Sequence, residues 1–271
     1  MKISVTPEEL AAGRGYEALF VPALFSAWPS HILNSVDIQT GAHVLDVACG
    51  TGVLSRHALA HVGPEGQVVA VDPAPGMLAA AQELESRIDW RLGRAEDLPV
   101  DANAFDAVLS QFGLMFFEDK VKALEEMHRA LKPGGYLSLA LWHFVDQNPI
   151  YGDIAALLDE QVSSAAGHAV RLPFCLGEPD AVADLVSQAG LHDIRFETKT
   201  NEARFPSTRT MVEAELRGWL PLFGINLSED KIEKVLSEAE ARLAPYEANT
   251  GEALFPTTAY IMTARKSERP L

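Results

Sequence analysis

Cysteine is scarce in this chain. Cys49 and Cys175 are the only two among 271 residues. They form neither a metal-ligand spacing nor a disulfide framework. Positive charge is also short: 22 Lys plus Arg stand against 38 Asp plus Glu, a formal net charge of -16. No basic cluster relieves it. A surface of that sign repels phosphate backbones, which argues against nucleic acid as a partner. No apolar run is long enough to span a bilayer, and Met1–Leu10 lacks the charged, apolar and small-residue order of a secretory leader. The expectation is a soluble cytoplasmic protein without membrane insertion. Repeats and low-complexity linkers are absent as well. With 48% hydrophobic residues, the chain can bury a sizeable core. Its length suits one large α/β domain with insertions, or one domain plus a small cap.

What is present is a run of strand and helix signals that begins at Val44. Val44-Leu45-Asp46-Val47 is apolar and β-branched, as a buried strand is. It breaks at Gly50 and Gly52, where the backbone can turn tightly or admit a ligand closely, and a helical pattern follows. Further strands are expected at Gln67–Val71, Ile88–Leu92, Phe105–Ser110 and Tyr136–Trp142, with helices over Met77–Glu85 and Lys120–Leu131. Lys132-Pro133-Gly134-Gly135 is expected to stop the latter helix. Repeated βα units with apolar strands imply a parallel sheet covered on both faces. Ahead of it, residues 6–35 read as helix punctuated by Pro22 and Pro29. Behind it, residues 143–177 read as helical pieces broken by Pro149, Gly167 and Pro173. A helix over Asp180–Gly190, a strand over Asp193–Thr200, helices over Thr208–Tyr246 with a break at Pro221–Ser228, and a strand over Pro256–Ala264 complete the reading.

A glycine loop of this kind serves two ligand classes. The dinucleotide fingerprint requires a third glycine, and here the match is Gly50-x-Gly52-x-x-Ser55. Asp72, at the end of the second strand, can accept both hydroxyls of a ribose, whether from NAD or from S-adenosylmethionine (SAM). Asp46 separates them: it would repel a pyrophosphate, and in the class I SAM-dependent methyltransferases, which this loop resembles, the matching acid helps hold the ammonium of the cofactor's methionine part.

The stretch 44–56 resembles motif I of class I SAM-dependent methyltransferases. Gly93-Arg94-Ala95-Glu96-Asp97-Leu98-Pro99 is similar to that family's adenine-binding segment, and Leu131-Lys132-Pro133-Gly134-Gly135 to its turn before the fifth strand. The motifs keep the family's order and spacing over about 44–142. The resemblance is nearest to small-molecule methyltransferases of the ubiquinone/menaquinone-biosynthesis type.

It implies an α/β, doubly wound, seven-stranded and mostly parallel sheet with helical cap insertions. The expected division is an N-terminal helical lid over 1–40, a SAM-binding core over 41–142, a cap insertion over 143–177, core completion over 178–207, a helical cap over 208–250 and a last strand with tail over 251–271. SAM would be held by Asp46, Ala48, Gly50, Gly52, Asp72, Pro73, Met77, Ala95, Glu96 and Gln111, with Tyr16 closing over it. Leu114 or Met115 would border the sulfonium. Relatives often carry an acid where Arg94 stands. An arginine cannot accept from the adenine amino group, so that contact would fall to the Ala95 backbone and Glu96.

Methyl transfer from a sulfonium is a displacement for which alignment supplies much of the rate. A base is needed only where the acceptor must lose a proton. His143, directly after the fifth strand, is the preferred candidate, with Asp146 and His168 behind it. His57 and His61 share a helix face, but without a third ligand no metal is expected. Asn148-Pro149-Ile150-Tyr151 follows the fifth strand rather than the fourth and is not taken as a catalytic signature. Arg204, Arg209 and Arg217 are candidates for an acidic acceptor or for salt bridges.

The expected partner is a small, partly apolar methyl acceptor, with a homodimer left open. A SAM-binding enzyme of non-methylating chemistry, an NAD-dependent oxidoreductase and a non-catalytic SAM-binding protein are the other readings.

Overall fold

The computed structural model describes residues 3–268. Thr6 opens the first helix, α1 (Pro7–Phe20), with a capping box: its hydroxyl accepts from the Glu9 amide, and the Glu9 carboxylate accepts from the Thr6 amide at 2.8 Å. Pro22 has no amide to give the α-helical ladder. There the bonding slips one residue. The Val21 amide reaches Tyr16 O, and the Ser26 amide reaches Val21 O at 2.8 Å, so Val21–Phe25 is a π-helical turn. Helix α2 (Pro29–Leu33) follows.

The alternating part then runs β1 (His43–Val47), α3 (Val53–Val62), β2 (Gln67–Asp72), α4 (Pro75–Leu84), β3 (Asp89–Leu92), β4 (Phe105–Gln111), α5 (Lys120–Ala130) and β5 (Leu131–Trp142). Helices α6 (Pro149–Gln161), α7 (Ser164–Arg171) and α8 (Pro179–Gln188) lead to β6 (His192–Phe205). Then come α9 (Thr208–Ala214), α10 (Glu229–Leu243) and β7 (Ala253–Arg265).

Seven strands form one sheet in the order β3-β2-β1-β4-β5-β7-β6. The pairs β1–β2, β1–β4, β2–β3 and β4–β5 are parallel. The expected doubly wound, mostly parallel sheet is therefore what forms. The winding reverses between β1 and β4, and the crevice outside the carboxyl ends at such a reversal is where ligands bind in open α/β sheets.

Two local expectations need correction. The segment 132–135 does not separate helix from strand; it is the first part of β5. Phe105 pairs with Leu131 and Ala107 with Tyr136, so four residues of β5 bulge opposite Asp106. Lys132 donates to both Asp106 oxygens at 2.8 Å, and Gly134 supplies the left-handed turn at φ +79°. Gly167 does not break a helix; it lies inside α7. A Cβ there would fall 2.0 Å from Asp159 Oδ1 and 2.6 Å from Ala155 O, so its missing side chain lets α7 close on α6.

The chain divides into two compact units, each taken over its described residues. One comprises Met1–Leu141, Glu178–Lys199 and Ala259–Leu271, and the other Trp142–Gly177 and Thr200–Thr258. In the first, β1 and β2 are buried along almost their whole length, as strands covered on both faces are. Helix α1 crosses α4 where both present glycine. A Cβ on Gly13 would lie 2.3 Å from Gly76 O, and one on Gly76 would lie 2.2 Å from Glu9 O. The second unit packs α6, α7, α9 and α10 around Ile154, Leu158, Met211, Leu236 and Leu243.

The crossing of α1 and α4 gives a direct test. Gly76→Ala gains at most about 1 kcal/mol of helix propensity. Against this stands an overlap with backbone that no rotamer relieves, costing about 1–3 kcal/mol. Urea denaturation should show a net loss of stability; a gain would mean that the two helices are not in backbone contact.

Candidate functional site

The reversal between β1 and β4 is built with strained backbone. The residue after β1, Ala48, has φ +59°, and the residue after β4, Phe112, has φ +57°. Left-handed conformations of this kind cost non-glycine residues about 1–3 kcal/mol and gather at functional sites. Gly113 joins the two ends: a Cβ there would be 2.6 Å from Ser110 Oγ and 2.8 Å from the Ala48 methyl. Gly50 and Gly52 are also left-handed, at φ +56° and +82°. Gly52 has a second reason to be glycine, since its Cβ would sit 2.2 Å from the Trp90 ring.

Asp72 organises the loop. Its Oδ2 accepts from the Gly50 amide and its Oδ1 from the Ala74 amide, both at 2.8 Å. Burial pushes its pKa above the usual carboxylate range, although these two amides act in the opposite direction. Asp46 is fully buried. Ser55 Oγ donates to its Oδ2 at 2.5 Å, while Oδ1 has no partner. Burial above all, with the Asp72 charge in support, pushes Asp46 up to about 7. Ser55, which spoils the dinucleotide glycine pattern, is thus the residue that satisfies half of the buried acid.

Around this pair lie other buried oxygens without a protein partner: Thr51 Oγ1, Ser110 Oγ and Gln111 Oε1. Each such atom costs about 1–3 kcal/mol if nothing meets it. Their concentration at one edge of the sheet fits a polar ligand better than it fits a packed core.

Tyr16 on α1 brings its ring to within 3.9 Å of where a Gly50 Cβ would stand. It stacks on Phe20 and Phe25 with centroids 5.6 Å away in each case, and Phe25 continues to Phe112 at 5.9 Å. Gln111 Nε2 donates to Phe25 O at 3.2 Å, so the π-helical turn is tied to the end of β4. Burial and the nearby Asp72 and Glu17 charges keep the Tyr16 hydroxyl protonated.

The remaining expected contacts are distributed as follows. Pro73 is exposed just after β2, Met77 is half-buried on α4, and Ala95 is buried. Glu96 accepts from the Glu118 amide at 2.9 Å. Arg94 bridges the Glu118 and Glu96 carboxylates at 3.0 and 3.5 Å. The loop behind them is held by buried Glu126, which accepts from the Leu98 amide at 3.0 Å, and by Arg129, which donates to Leu98 O and Val100 O. Leu114 and Met115 are buried.

Tyr16, Asp46, Gly50, Gly52, Asp72, Ala95, Glu96 and Gln111 all belong to the first unit; His143 belongs to the second. The His143 amide donates to Thr258 O at 3.1 Å, and its Nδ1 accepts from the Phe144 amide at 2.8 Å. Burial draws its pKa below the usual histidine value, so the ring is neutral at pH 7. Asn148 is buried and structural: its amide group bonds Thr258 N and O at 2.9 and 3.1 Å. Each candidate arginine is held by two glutamates, Arg204 by Glu202 and Glu252, Arg209 by Glu233 and Glu240, and Arg217 by Glu213 and Glu229. His57 Nδ1 and His61 Nε2 meet the carbonyls of Val53 and Ile38. Among the described residues no cluster of His, Cys, Asp and Glu could hold a metal ion, and no helix is long and apolar enough to cross a membrane.

A Rossmann-like sheet with an acidic glycine-loop cradle at its reversal point is the architecture these features define. The sequence profile of the methyltransferase domain matches residues 45–139. A demethylmenaquinone methyltransferase of Staphylococcus epidermidis is 31% identical over 184 residues, 62% of this chain and 75% of that protein. Among solved structures, a putative methyltransferase from Bacillus halodurans aligns with TM-score 0.59 at 17% identity, covering 89% of this chain and all but 1% of that one (99%). The phosphoethanolamine N-methyltransferase 2 of Haemonchus contortus, solved with S-adenosyl-L-methionine, aligns with TM-score 0.59 at 19% identity over 95% of this chain and 57% of that one. These structural likenesses show the fold. The chain belongs to the class I SAM-dependent methyltransferase superfamily.

The buried acid carries a pH signature. With its folded pKa near 7 and its unfolded value near 3.8, Asp46 binds more proton in the folded state across that interval. Ligand-free protein therefore loses stability as pH rises from about 4 to 7, and the loss persists above it. Asp46→Asn keeps an acceptor for Ser55 and removes this contribution. Thermal melts at pH 5 and pH 8 should show a smaller drop for Asp46→Asn than for wild type; equal drops would remove Asp46 as the source.

Proposed function

We propose that this protein transfers the methyl group of SAM to a small, partly apolar metabolite. The observation that carries the reading is the set of unpartnered buried oxygens around Asp46, beside a carboxylate that already organises the glycine loop. This donor set fits the cofactor. Asp72 has acceptor capacity left for the ribose hydroxyls after its two amide bonds. Asp46 Oδ1 and Gln111 Oε1 suit the ammonium of the methionine end. The Ala95 backbone and Glu96 serve the adenine edge, with Ala48, Gly50, Gly52, Pro73 and Met77 lining the cradle and the Tyr16 ring packed against Gly50.

When bound, SAM supplies a methyl group already activated on a sulfonium, so the chain's contribution is to bind, orient and exclude water. A cation beside Asp46 would draw that carboxyl back to its ionised form. His143, neutral at pH 7, is the group we assign to accept a proton where the acceptor must lose one. The likeness to a demethylmenaquinone methyltransferase supports a partly apolar acceptor, as does the absence of unpaired basic charge at Arg204, Arg209 and Arg217.

Calorimetric titration with S-adenosylhomocysteine (SAH) tests the cofactor. Wild type should bind, and Asp72→Ala should raise the dissociation constant about 10- to 100-fold, the worth of hydrogen bonds to a charged group. Unchanged affinity in a folded Asp72→Ala protein would sink the assignment. For the acceptor, extracts of the source cells incubated with ordinary and methyl-deuterated SAM should yield a product as an isotope-shifted pair. SAH binding by calorimetry with neither such a pair nor SAH formation from SAM would favour non-methylating chemistry or a non-catalytic SAM-binding protein.

A further inference from the structure

Helix α1 meets the glycine loop through more than the Tyr16 ring. Gly13, Tyr16, Glu17 and Phe20 share one face of α1 by their i, i+3, i+4, i+7 spacing. Gly13 brings that face into backbone contact with α4. One turn on, Arg56 Nη2 donates to Glu17 Oε1 at 2.7 Å, and Arg56 Nη1 donates to Thr51 O at 2.6 Å. Both side chains of the pair are about three-quarters covered, with 24% and 22% of their surfaces exposed. The pair between Arg14 of the same helix and Glu83 of α4 is 60% and 47% exposed, the kind of surface ion pair that contributes little. The other Glu17 oxygen is buried without a partner. The Glu17 carboxylate thus depends on Arg56.

The loop itself is tied at three points. Asp72 holds the Gly50 amide, Cys49 O holds the Gly52 amide at 2.8 Å, and Arg56 holds the Thr51 carbonyl. The first two ties come from the sheet and from the loop. The third alone leads out to α1. One guanidinium therefore joins the carbonyl side of the Thr51–Gly52 peptide, whose amide side Cys49 O holds, to the α1 carboxylate one residue beyond Tyr16.

We propose that Glu17 is a positioning residue: acting through Arg56 on the Thr51 carbonyl, it couples the seating of α1 and its Tyr16 ring to ligand binding in the glycine loop. The inference rests on the reading of that loop as the cofactor site. It makes α1 a latch closed by an ion pair rather than a helix that is merely packed. Coupling between two elements is reciprocal. A ligand that orders the loop stabilises α1, and loss of the α1 anchor weakens the ligand.

The test combines SAH calorimetry with hydrogen exchange across residues 7–20, on wild type, Glu17→Ala, Glu17→Gln, Arg56→Ala and the Glu17→Ala/Arg56→Ala double variant. In wild type, SAH should slow exchange across α1. Glu17→Ala should remove most of that slowing and raise the dissociation constant about tenfold, within the usual range for coupled sites. Glu17→Gln, which keeps an acceptor but not the charge, should fall between. Arg56→Ala strands the Glu17 carboxylate, so the double variant should bind SAH better than Arg56→Ala alone.

A purely structural role would lower the melting temperature while leaving SAH affinity and SAH-induced slowing intact, and that result overturns the proposal. So does exchange across α1 that ignores SAH in wild type. Failure of wild type to bind SAH at all is a different result, which overturns the cofactor reading and the latch with it.

Discussion

Two carboxylates buried at the ends of neighbouring strands govern the rest of this structure. Asp46 and Asp72 close β1 and β2, and the hydrogen-bond donors they meet are the Ser55 hydroxyl and the amides of Gly50 and Ala74. Burial raises the pKa of both, and the Asp72 charge raises that of Asp46 further, which disfavours the charged pair. The chain answers with geometry rather than with a basic residue. The glycine loop turns its amide inward to Asp72, which requires the left-handed backbone at Gly50. The first turn of α3 presents Ser55 to Asp46. What stays unmet is two acceptors, Asp46 Oδ1 and Gln111 Oε1, and two hydroxyls that can donate or accept, Thr51 Oγ1 and Ser110 Oγ.

The same constraint explains where the strain lies. A sheet edge that must hold two acids and remain open to a ligand cannot fill the space with side chains. Left-handed turns at Ala48 and Phe112 end the paired stretch of β1 and β4, and Gly113 lacks the Cβ that would collide with Ala48 and Ser110. Aromatic rings then close the apolar side. Tyr16, Phe20, Phe25, Phe112 and Trp28 form a continuous chain from α1 to the end of β4. The π-helical turn at Pro22 sits in the middle of it and carries the Phe25 carbonyl that accepts from Gln111 Nε2.

Much of this was legible in the sequence because it is local. Apolar runs mark β1, β2, β4 and β5, the glycines mark the loop, and an acid at each strand end marks the cradle. The unread parts depend on residues distant in sequence or on space. Glu17 and Arg56 are 39 positions apart, and nothing in either neighbourhood announces the pair. Ser55 looks like a failed third glycine until the buried Asp46 beside it demands a donor. Gly167 and Gly76 look like breaks or ordinary helix residues, whereas their meaning is the backbone of another helix. The bulge at 132–135 carries turn residues that end a helix in most settings; here the Lys132–Asp106 pair holds them to β4, and the strand simply includes them.

Charge bookkeeping bears on the acceptor as well. The chain carries sixteen more acids than bases, counted as a formal net charge of -16, yet most arginines among the described residues are held in ion pairs. Arg204, Arg209 and Arg217 each span two glutamates, and Arg171 and Arg242 hold Asp159 and Glu160. An arginine shared by two carboxylates presents little net positive field, so recruiting it to an anionic substrate would first require breaking bonds already made. A neutral or apolar acceptor imposes no such cost. The unit that contains these pairs is built from apolar helix faces and surface ion pairs, with buried Glu215 as its one strongly perturbed acid among the described residues. That balance supports the reading of a partly apolar acceptor recognised by shape and by few polar contacts, in keeping with small-molecule sites generally.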